Sequence, residues 1–178
     1  PILLGSSIAY WQFNAFNWGI FCLTFFGAIF AHCGTNMMND YFDHTSRNDE
    51  TNKLFSPFNG GSRIIQSGLM SPVNVLIYAI LFFIGTIAIG LKLNSDVHGS
   101  FFAISPLIYL GIIGVFLGIM YTGFLRLSYN GLGDIAVFLG FGPLMVYGAG
   151  YMQNQSVDVP TTLLFSIPVG ILIALVLF

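Results

Sequence analysis

Residues 36–68 hold most of the charged side chains of this chain and several groups that could bind a metal ion. Seven of the twelve Asp, Glu, Lys and Arg residues lie in this stretch. Asn39, Asp43 and Asp49 offer hard oxygen ligands of the kind that Mg²⁺ prefers, and Mg²⁺ commonly bridges carboxylates and substrate phosphates. The pattern therefore indicates a site at which carboxylates hold magnesium and the metal attracts a diphosphate.

Basic residues and glycines follow these acids in the same stretch. Lys53 and Arg63 could bind phosphate oxygens directly, Arg63 through two N–H groups at once. Gly60, Gly61 and Ser62 could bring backbone N–H groups close to an anion. Because apolar segments lie on either side, these residues predict a ligand with a diphosphate head and a hydrophobic tail.

Helical geometry places the first polar groups on one face. If the preceding apolar run continues as a helix, five polar side chains fall within one third of its circumference. They are His32, Asn36, Asn39, Asp40 and Asp43. Ionisable groups at membrane depth normally face the bundle interior or a wet cavity, so we expect a chamber beside them. The alternative is a helix that runs into a solvated charged loop, and His32 alone is more typical of a packing histidine.

The composition excludes an ordinary soluble domain. Charged residues make up 7% and hydrophobic residues 56% of the 178 residues, whereas soluble domains usually carry about 25% charged residues. The net charge is −2 and there is no basic face, so a nucleic-acid partner is not expected. Cys22 and Cys33 lie on one predicted helix about 16 Å apart, too far for a disulfide.

Five apolar segments are long enough to cross a bilayer as helices, which takes about 20 residues. They are residues 18–35, 72–91, 101–123, 135–152 and 159–178, and residues 1–10 are typical of the end of a further span. Their continuous apolarity excludes transmembrane strands, which alternate with period two. The sequence predicts an all-α, polytopic transmembrane helix bundle of five full spans and a partial one, forming a single domain over residues 1–178.

The distribution of basic residues predicts the orientation in the membrane, because cytoplasmic loops carry an excess of Lys and Arg. The loop 41–71 holds Arg47, Lys53 and Arg63, and the loop 124–130 holds Arg126. The opposite loops hold only Lys92. Loop 41–71 and its acids are therefore predicted to be cytoplasmic.

Three segments resemble, in the right order, motifs of the UbiA superfamily of intramembrane prenyltransferases. The first is its aspartate-rich motif, here NDYFDHTSRND, whose spacing is closest to the branch that prenylates 1,4-dihydroxy-2-naphthoate in menaquinone synthesis. The others are GGSRIIQSGLMSP and residues 121–153, which is similar to the second cytoplasmic loop and the next span. The resemblance covers nearly the whole chain.

This resemblance implies the residues of a metal site. Asn39, Asp43 and Asp49 would hold Mg²⁺ against a prenyl diphosphate, with Asp40 supporting the metal site. Asp43, Asp49 and Arg63 would be the catalytic residues.

The resemblance also implies residues that bind the diphosphate, namely Lys53, Arg63, Tyr121 and Arg126. Several family members carry a Tyr and a Lys four residues apart in the second loop, whereas here Arg126 follows Tyr121 by five. Asp134 fits either a first-turn acid at a helix start or a functional residue that braces the basic residue of this loop or lines the acceptor entrance.

The implied activity is Mg²⁺-dependent transfer of a polyprenyl group to an aromatic quinone precursor, at the cytoplasmic face of a bacterial inner membrane. Other UbiA acceptors, such as 4-hydroxybenzoate, homogentisate or a glycerol-phosphate ether lipid, stay open, as does a cation-coupled transporter. A phosphatidyl-alcohol transferase is disfavoured because His44 stands where its motif has Gly. We expect an N-terminal fragment of a roughly nine-helix enzyme, inactive alone, whose second aspartate-rich motif would follow Phe178.

Overall fold

The computed structural model describes residues 1–47, 62–121, 123, 127 and 131–177, and within these the regular structure is entirely helical. The predicted all-α class is confirmed. The elements are α1 (Ile2–Phe13), α2 (Trp18–Thr45), α3 (Pro72–His98), α4 (Pro106–Met120), α5 (Gly133–Leu139), a π-helical turn (Gly140–Leu144), α6 (Met145–Gln153), α7 (Val159–Ala174) and a 3₁₀ turn (Leu175–Leu177).

Four helices begin where a short polar side chain caps the first turn. In each case the side-chain oxygen accepts a hydrogen bond from the backbone N–H three residues on, which satisfies a donor that has no partner within the helix. The capping residues are Asn17, Ser71, Ser105 and Asp158, with N···O distances of 3.1, 3.3, 3.4 and 2.8 Å. A proline follows within two residues of three of these caps, at a position where its missing N–H costs nothing.

Three helical segments are long and apolar enough to cross a membrane: α2, α3 and the continuous run Gly133–Gln153. The predicted spans 101–123 and 159–178 are shorter in the structure, at 15 residues in α4 and 16 in α7. The buried Asn94 explains the first difference. Its amide donates hydrogen bonds to the carbonyls of Ser100, Phe101 and Ala103 at 2.9–3.1 Å, which holds those residues in a turn outside the helix.

Small residues allow two helix pairs to approach closely. A Cβ on Gly34 would lie 3.3 Å from the carbonyl oxygen of Ala79, so α2 and α3 pack almost backbone to backbone. A Cβ on Gly5 would overlap the carbonyl oxygen of Val146, so α1 packs as closely on α6. Close approach through glycine is typical of helix association in lipid.

The two ends of the bundle have different polar contacts. At one end, Asn17 and Gln153 exchange two hydrogen bonds, of 2.7 and 3.2 Å, and the Gln12 side chain accepts one from the Asp158 N–H at 3.0 Å. At the other end, α2 and α4 finish and α3 and α5 begin. Asp40 and Asp43 lie at this second end, which we call the site end.

Candidate active site

The last turns of α2 bring Asn39 and Asp43 together. The helix continues to Thr45, as the stripe of polar residues requires, so these residues lie one turn apart on one face. The Asn39 Nδ2 donates a hydrogen bond of 2.8 Å to Asp43 Oδ2. This contact directs the amide nitrogen to the carboxylate and keeps Asn39 Oδ1 as an oxygen ligand. Asp43 is only 9% exposed.

Asp40 lies on the same turn but faces the segment that returns from the loop. Its Oδ1 accepts a hydrogen bond from the Ser62 backbone N–H at 3.3 Å, and its Oδ2 accepts a short one from the Ser62 hydroxyl. The side chain of Asp40 is 8% exposed. Because both of its oxygens bind Ser62, the carboxylate fixes residues 62–63 against the end of α2.

Arg63 follows this anchor directly and has an unusual backbone. Its φ angle is +52°, a left-handed conformation that non-glycine residues seldom adopt and that costs of order 1–3 kcal/mol. Arg63 O accepts a hydrogen bond from the Ser67 N–H at 2.9 Å, closing the turn that follows. The Ser62 anchor thus holds the Arg63 backbone beside the α2 carboxylates.

Tyr121 brings the end of α4 to the same place. The residue lies just beyond α4 and is half-buried. Burial raises the pKa of its hydroxyl, and the nearby carboxylates of Asp134 and Asp43 raise this pKa further. A Cβ on Gly123 would lie 3.4 Å from the ring of Phe42. The start of α5, the end of α4 and the end of α2 therefore meet around the Tyr121 hydroxyl.

Several predicted site residues fall outside the described residues. Asp49 and Lys53 lie between residues 47 and 62, and Arg126 lies in the second loop. Their roles in the metal and diphosphate sites stay predictions. The structure thus brings together Asn39, Asp40, Asp43 and Tyr121 of the predicted set and holds the Arg63 backbone next to them.

His32 and Asn36 continue the polar stripe along α2 away from the site end, and both side chains are exposed. Asn36 Nδ2 lies 3.3 Å from His32 Nε2. The His32 ring packs edge to face on Phe141, with ring centroids 5.4 Å apart and an interplanar angle of 83°. Phe141 belongs to the π-helical turn, which also contains Pro143. No sequence motif indicates a role for Phe141. The signal for the irregular turn that contains it is a proline inside an apolar span.

A large apolar cavity lies beyond His32, toward the opposite end of the bundle. Its volume is about 620 Å³, and its walls come from α1, α2, α3, α4 and the span containing α6. Ala28 and Ala31 of α2 and Gly140 of the π-helical turn line the cavity where it approaches His32 and Phe141. Nearly all other lining residues are aliphatic or glycine, and Phe102 and Phe116 are the aromatic ones. The cavity and the polar stripe share α2, but none of the stripe residues, all of which the structure describes, lines the cavity, so the chamber expected beside the stripe stays a prediction.

The described donors suit a hard divalent cation. Asn39 Oδ1 and the Asp43 carboxylate offer oxygen atoms one helical turn apart, and Mg²⁺ prefers oxygen ligands and completes its shell with water and phosphate oxygens. Across residues 1–47, 62–121 and 131–177, no three His, Cys, Asp or Glu side chains form a metal-binding group. A site centred on Asn39 and Asp43 would need further oxygen atoms from residues outside those ranges or from the bound diphosphate.

Comparison with known proteins identifies several relatives. The chain is 32% identical over 164 residues to a 1,4-dihydroxy-2-naphthoate octaprenyltransferase of Haemophilus influenzae, covering 88% of this chain and 50% of the relative. It is 32% identical over 181 aligned positions to a 2-carboxy-1,4-naphthoquinone phytyltransferase of Synechocystis, covering 100% and 53%. It is 30% identical over 175 residues to a UbiA prenyltransferase domain-containing protein 1 homolog of Drosophila melanogaster, covering 96% and 45%.

The chain spans about half the length of the curated relatives it matches. No solved structure matches it. The UbiA prenyltransferase family matches residues 1–178, the whole of the sequence. Three long apolar helices agree with the membrane character of that family and indicate an integral membrane protein. The sequence, the fold and this match lead to one conclusion: the chain belongs to the UbiA prenyltransferase family.

Proposed function

We propose that the protein containing this chain transfers a polyprenyl group from a prenyl diphosphate to an aromatic quinone precursor, with Mg²⁺ as cofactor. The observation that carries the proposal is the continuity between two features. The α2 polar cluster (Asn39, Asp40 and Asp43) lies at the site end, and Ala28 and Ala31 of the same helix line the apolar cavity farther along it. An anion-binding head site joined to a hydrophobic chamber matches an amphiphilic diphosphate.

The donor would lie along α2. Its diphosphate would meet Asn39, Asp43 and Arg63, and its chain would run past Asn36 into the cavity. Ala31, which lines the cavity, is twelve residues before Asp43, or about 18 Å along the helix axis. A polyprenyl chain is long enough to cover this distance and to fill part of the cavity, where its burial supplies about 25 cal/mol per Å².

The chain's own residues would assist departure of the diphosphate. A bound Mg²⁺ would neutralise charge on the diphosphate oxygens. Arg63 would bind the same oxygens, with its position fixed by the bond between Asp40 and Ser62. The protonated Tyr121 hydroxyl would donate to a diphosphate oxygen, because its raised pKa keeps the proton in place at neutral pH. Asp49, Lys53 and Arg126 would complete this head site.

In the transfer, the C1–O bond of the donor would be replaced by a C–C bond to the acceptor. The allylic C1–O bond breaks, and its electron pair leaves with the diphosphate. A ring carbon of the electron-rich acceptor supplies the electron pair of the new C–C bond. The proton on that carbon, or a carboxyl group as CO₂, then leaves and the ring becomes aromatic again. The apolar cavity would exclude water, which otherwise captures the allylic cation.

The relatives guide the choice of acceptor and the location. Two of the relatives are named as acting on a naphthoate or naphthoquinone, so we propose 1,4-dihydroxy-2-naphthoate or a related bicyclic precursor. The basic residues of loops 41–71 and 124–130 support a cytoplasmic site end in a bacterial inner membrane.

The test is an assay of the full-length protein in lipid vesicles. Radiolabelled prenyl diphosphates of several lengths would be paired with 1,4-dihydroxy-2-naphthoate, 4-hydroxybenzoate and homogentisate. We expect a prenylated product with the naphthoate at the highest kcat/KM, and no product in EDTA. Absence of product with every aromatic acceptor would contradict the proposal, and preference for 4-hydroxybenzoate would contradict the choice of acceptor.

A further inference from the structure

With the donor placed along α2 as proposed, the acceptor reacts beside the segment of α2 between the cavity and the polar cluster. The donor C1 atom lies between the diphosphate and the prenyl chain, so the acceptor ring must reach α2 between Ala31 and Asn39. Three hydrogen-bonding side chains of α2 lie there, at His32, Thr35 and Asn36. Thr35 already donates to the Ala31 carbonyl at 2.9 Å. His32 and Asn36 are the two whose polar atoms are not committed to the backbone.

The His32 ring is held in one orientation from two sides. Asn36 Nδ2 lies 3.3 Å from His32 Nε2, and Phe141 packs against the ring from the span across the cavity. The π-helical turn sets the position of Phe141, and such turns often occur at functional sites. Gly140, beside Phe141, and Ala28, one turn before His32, both line the cavity. The ring therefore lies on an exposed part of α2, next in sequence to residues that line the cavity.

The hydrogen bond from Asn36 determines what the ring can still bind. With Nε2 engaged by the Asn36 amide, Nδ1 is the other polar atom of the ring. In the part of the chain that the structure describes, Nδ1 has no hydrogen-bond partner. A histidine that served only packing would more commonly bond a backbone group. Here its partner is another side chain of the same polar stripe, and one ring nitrogen is left for a ligand.

We propose that His32, oriented by Asn36, binds a ring hydroxyl of the aromatic acceptor and aligns the acceptor with the donor C1 atom. This inference rests on the proposed function and adds the acceptor site to it. A phenolic hydroxyl can donate or accept, so it pairs with Nδ1 in either tautomer of the imidazole. The ring of Phe141 provides an aromatic edge on which a flat bicyclic acceptor packs. His32 is thus a residue that determines acceptor specificity.

The test uses His32→Phe and His32→Gln in the full-length protein, with His98→Phe as the matched control. His98 lies at the opposite end of the bundle, with its Nε2 3.2 Å from the Tyr151 hydroxyl. For His32→Phe we expect the acceptor KM to rise about tenfold or more, with the donor KM within about twofold of wild type. His32→Gln retains a hydrogen-bonding group and should change the acceptor KM by about threefold at most. His98→Phe should change neither constant.

A second readout separates acceptor binding from a structural role. The wild-type protein should prefer a dihydroxynaphthoate over its mono-O-methyl ether. His32→Phe should abolish that preference, because the variant has no imidazole to bind the hydroxyl that the methyl ether lacks. A preference that persists in His32→Phe, or an equal change in donor and acceptor KM, would overturn the inference while the proposed function stands. A wild-type protein that forms no prenylated product would overturn both. If His32→Phe is not recovered folded, His32→Leu takes its place. Loss of the preference then supports the inference, and a preference that persists, or a larger change in donor KM than in acceptor KM, overturns it.

Discussion

Asn39 donates a 2.8 Å hydrogen bond to the carboxylate of Asp43 from one turn earlier on α2. The bond orders both side chains before any ligand binds. Binding a cation therefore costs the Asn39 and Asp43 side chains less rotamer entropy. Both residues lie where α2 leaves the apolar part of the bundle, and the cavity lies farther along the same helix. One helix therefore carries the Asn39–Asp43 pair and one wall of the cavity.

The Asp40–Ser62 contact predicts a role for a loop hydroxyl far away in the sequence. Ser62→Ala removes the hydroxyl donor to Asp40 and leaves the backbone N–H donor, so Arg63 should be held less firmly. We expect the donor KM to rise about fivefold to tenfold, with little change in acceptor KM. Steady-state kinetics on the full-length protein measure both constants.

The control for this substitution is Ser67→Ala in the same turn, where the hydroxyl donates to the Ile64 carbonyl and not to a carboxylate. Ser67→Ala should leave the donor KM unchanged. Equal effects of the two substitutions would mean that the Asp40–Ser62 bond has no special part in positioning Arg63.

The glycines of the cavity wall predict control of chain length. A Cβ on Gly90 meets no atom within 4 Å, and Gly90 lines the cavity in its part distant from Asp43. Gly90→Leu should shorten the space for the chain and lower kcat/KM for long prenyl diphosphates about tenfold or more, while short donors react normally. Ala88→Leu, on the exposed face of the same helix, should affect no donor. A Gly90→Leu protein that still prefers long donors would show that the chain lies elsewhere.

The raised pKa of Tyr121 predicts that its hydroxyl contributes equally to donor binding throughout the neutral pH range. Burial and the Asp134 and Asp43 carboxylates favour the protonated hydroxyl, whose ordinary pKa is 10.0. The stability that this proton contributes is complete below about pH 10 and is lost as the pH rises through the raised value. Tyr121→Phe should therefore raise the donor KM by the same factor from about pH 6 to about pH 9.

The exposed Tyr109 of α4 offers the control, because Tyr109→Phe should have no effect at any of these pH values. A Tyr121→Phe effect that disappears between about pH 7 and about pH 9 would show that the hydroxyl ionises in that range, against the electrostatic environment described here.

The fold itself can be tested at Gly5. Gly5→Ala places a Cβ on the Val146 carbonyl oxygen, so α1 and α6 must separate. We expect a loss of about 1–3 kcal/mol in the free energy of unfolding, typical of overpacking. Gly90→Ala, which adds a Cβ in open space, should be neutral or slightly stabilising. Thermal unfolding in detergent compares the two, and equal stability would mean that α1 and α6 are not in close contact.

The helices could be predicted from the sequence because their signals are local. The apolar runs begin just after polar residues such as Asn17, Ser71 and Asp158, each of which caps the start of a helix in the structure. The extension of α2 to Thr45 followed from the period of its polar residues. Residues 101–104 could not be predicted as a turn, because their apolar side chains fit a span and the turn depends on the distant amide of Asn94.

The residue types of the candidate site could be predicted from the sequence, but the contacts between distant residues could not. The spacing of Asn39 and Asp43 fixes their contact, since residues four apart on a helix are neighbours. The bond between Asp40 and Ser62 joins residues 22 positions apart across a loop, and no local pattern predicts it. The contact of His32 with Phe141 also depends on packing between distant spans.

The central claim is that Asp43 holds a divalent cation that binds the prenyl diphosphate. The most direct measurement is the Kd of a radiolabelled prenyl diphosphate for the full-length protein in vesicles, with Mg²⁺ and with EDTA. Asp43→Asn is compared with Asp96→Asn, whose carboxylate pairs with Lys92 near the opposite end of α3. The account predicts that EDTA and Asp43→Asn each weaken binding about a hundredfold, and that Asp96→Asn binds like wild type. Equal affinity in Mg²⁺ and EDTA, or unchanged binding by Asp43→Asn, would contradict it.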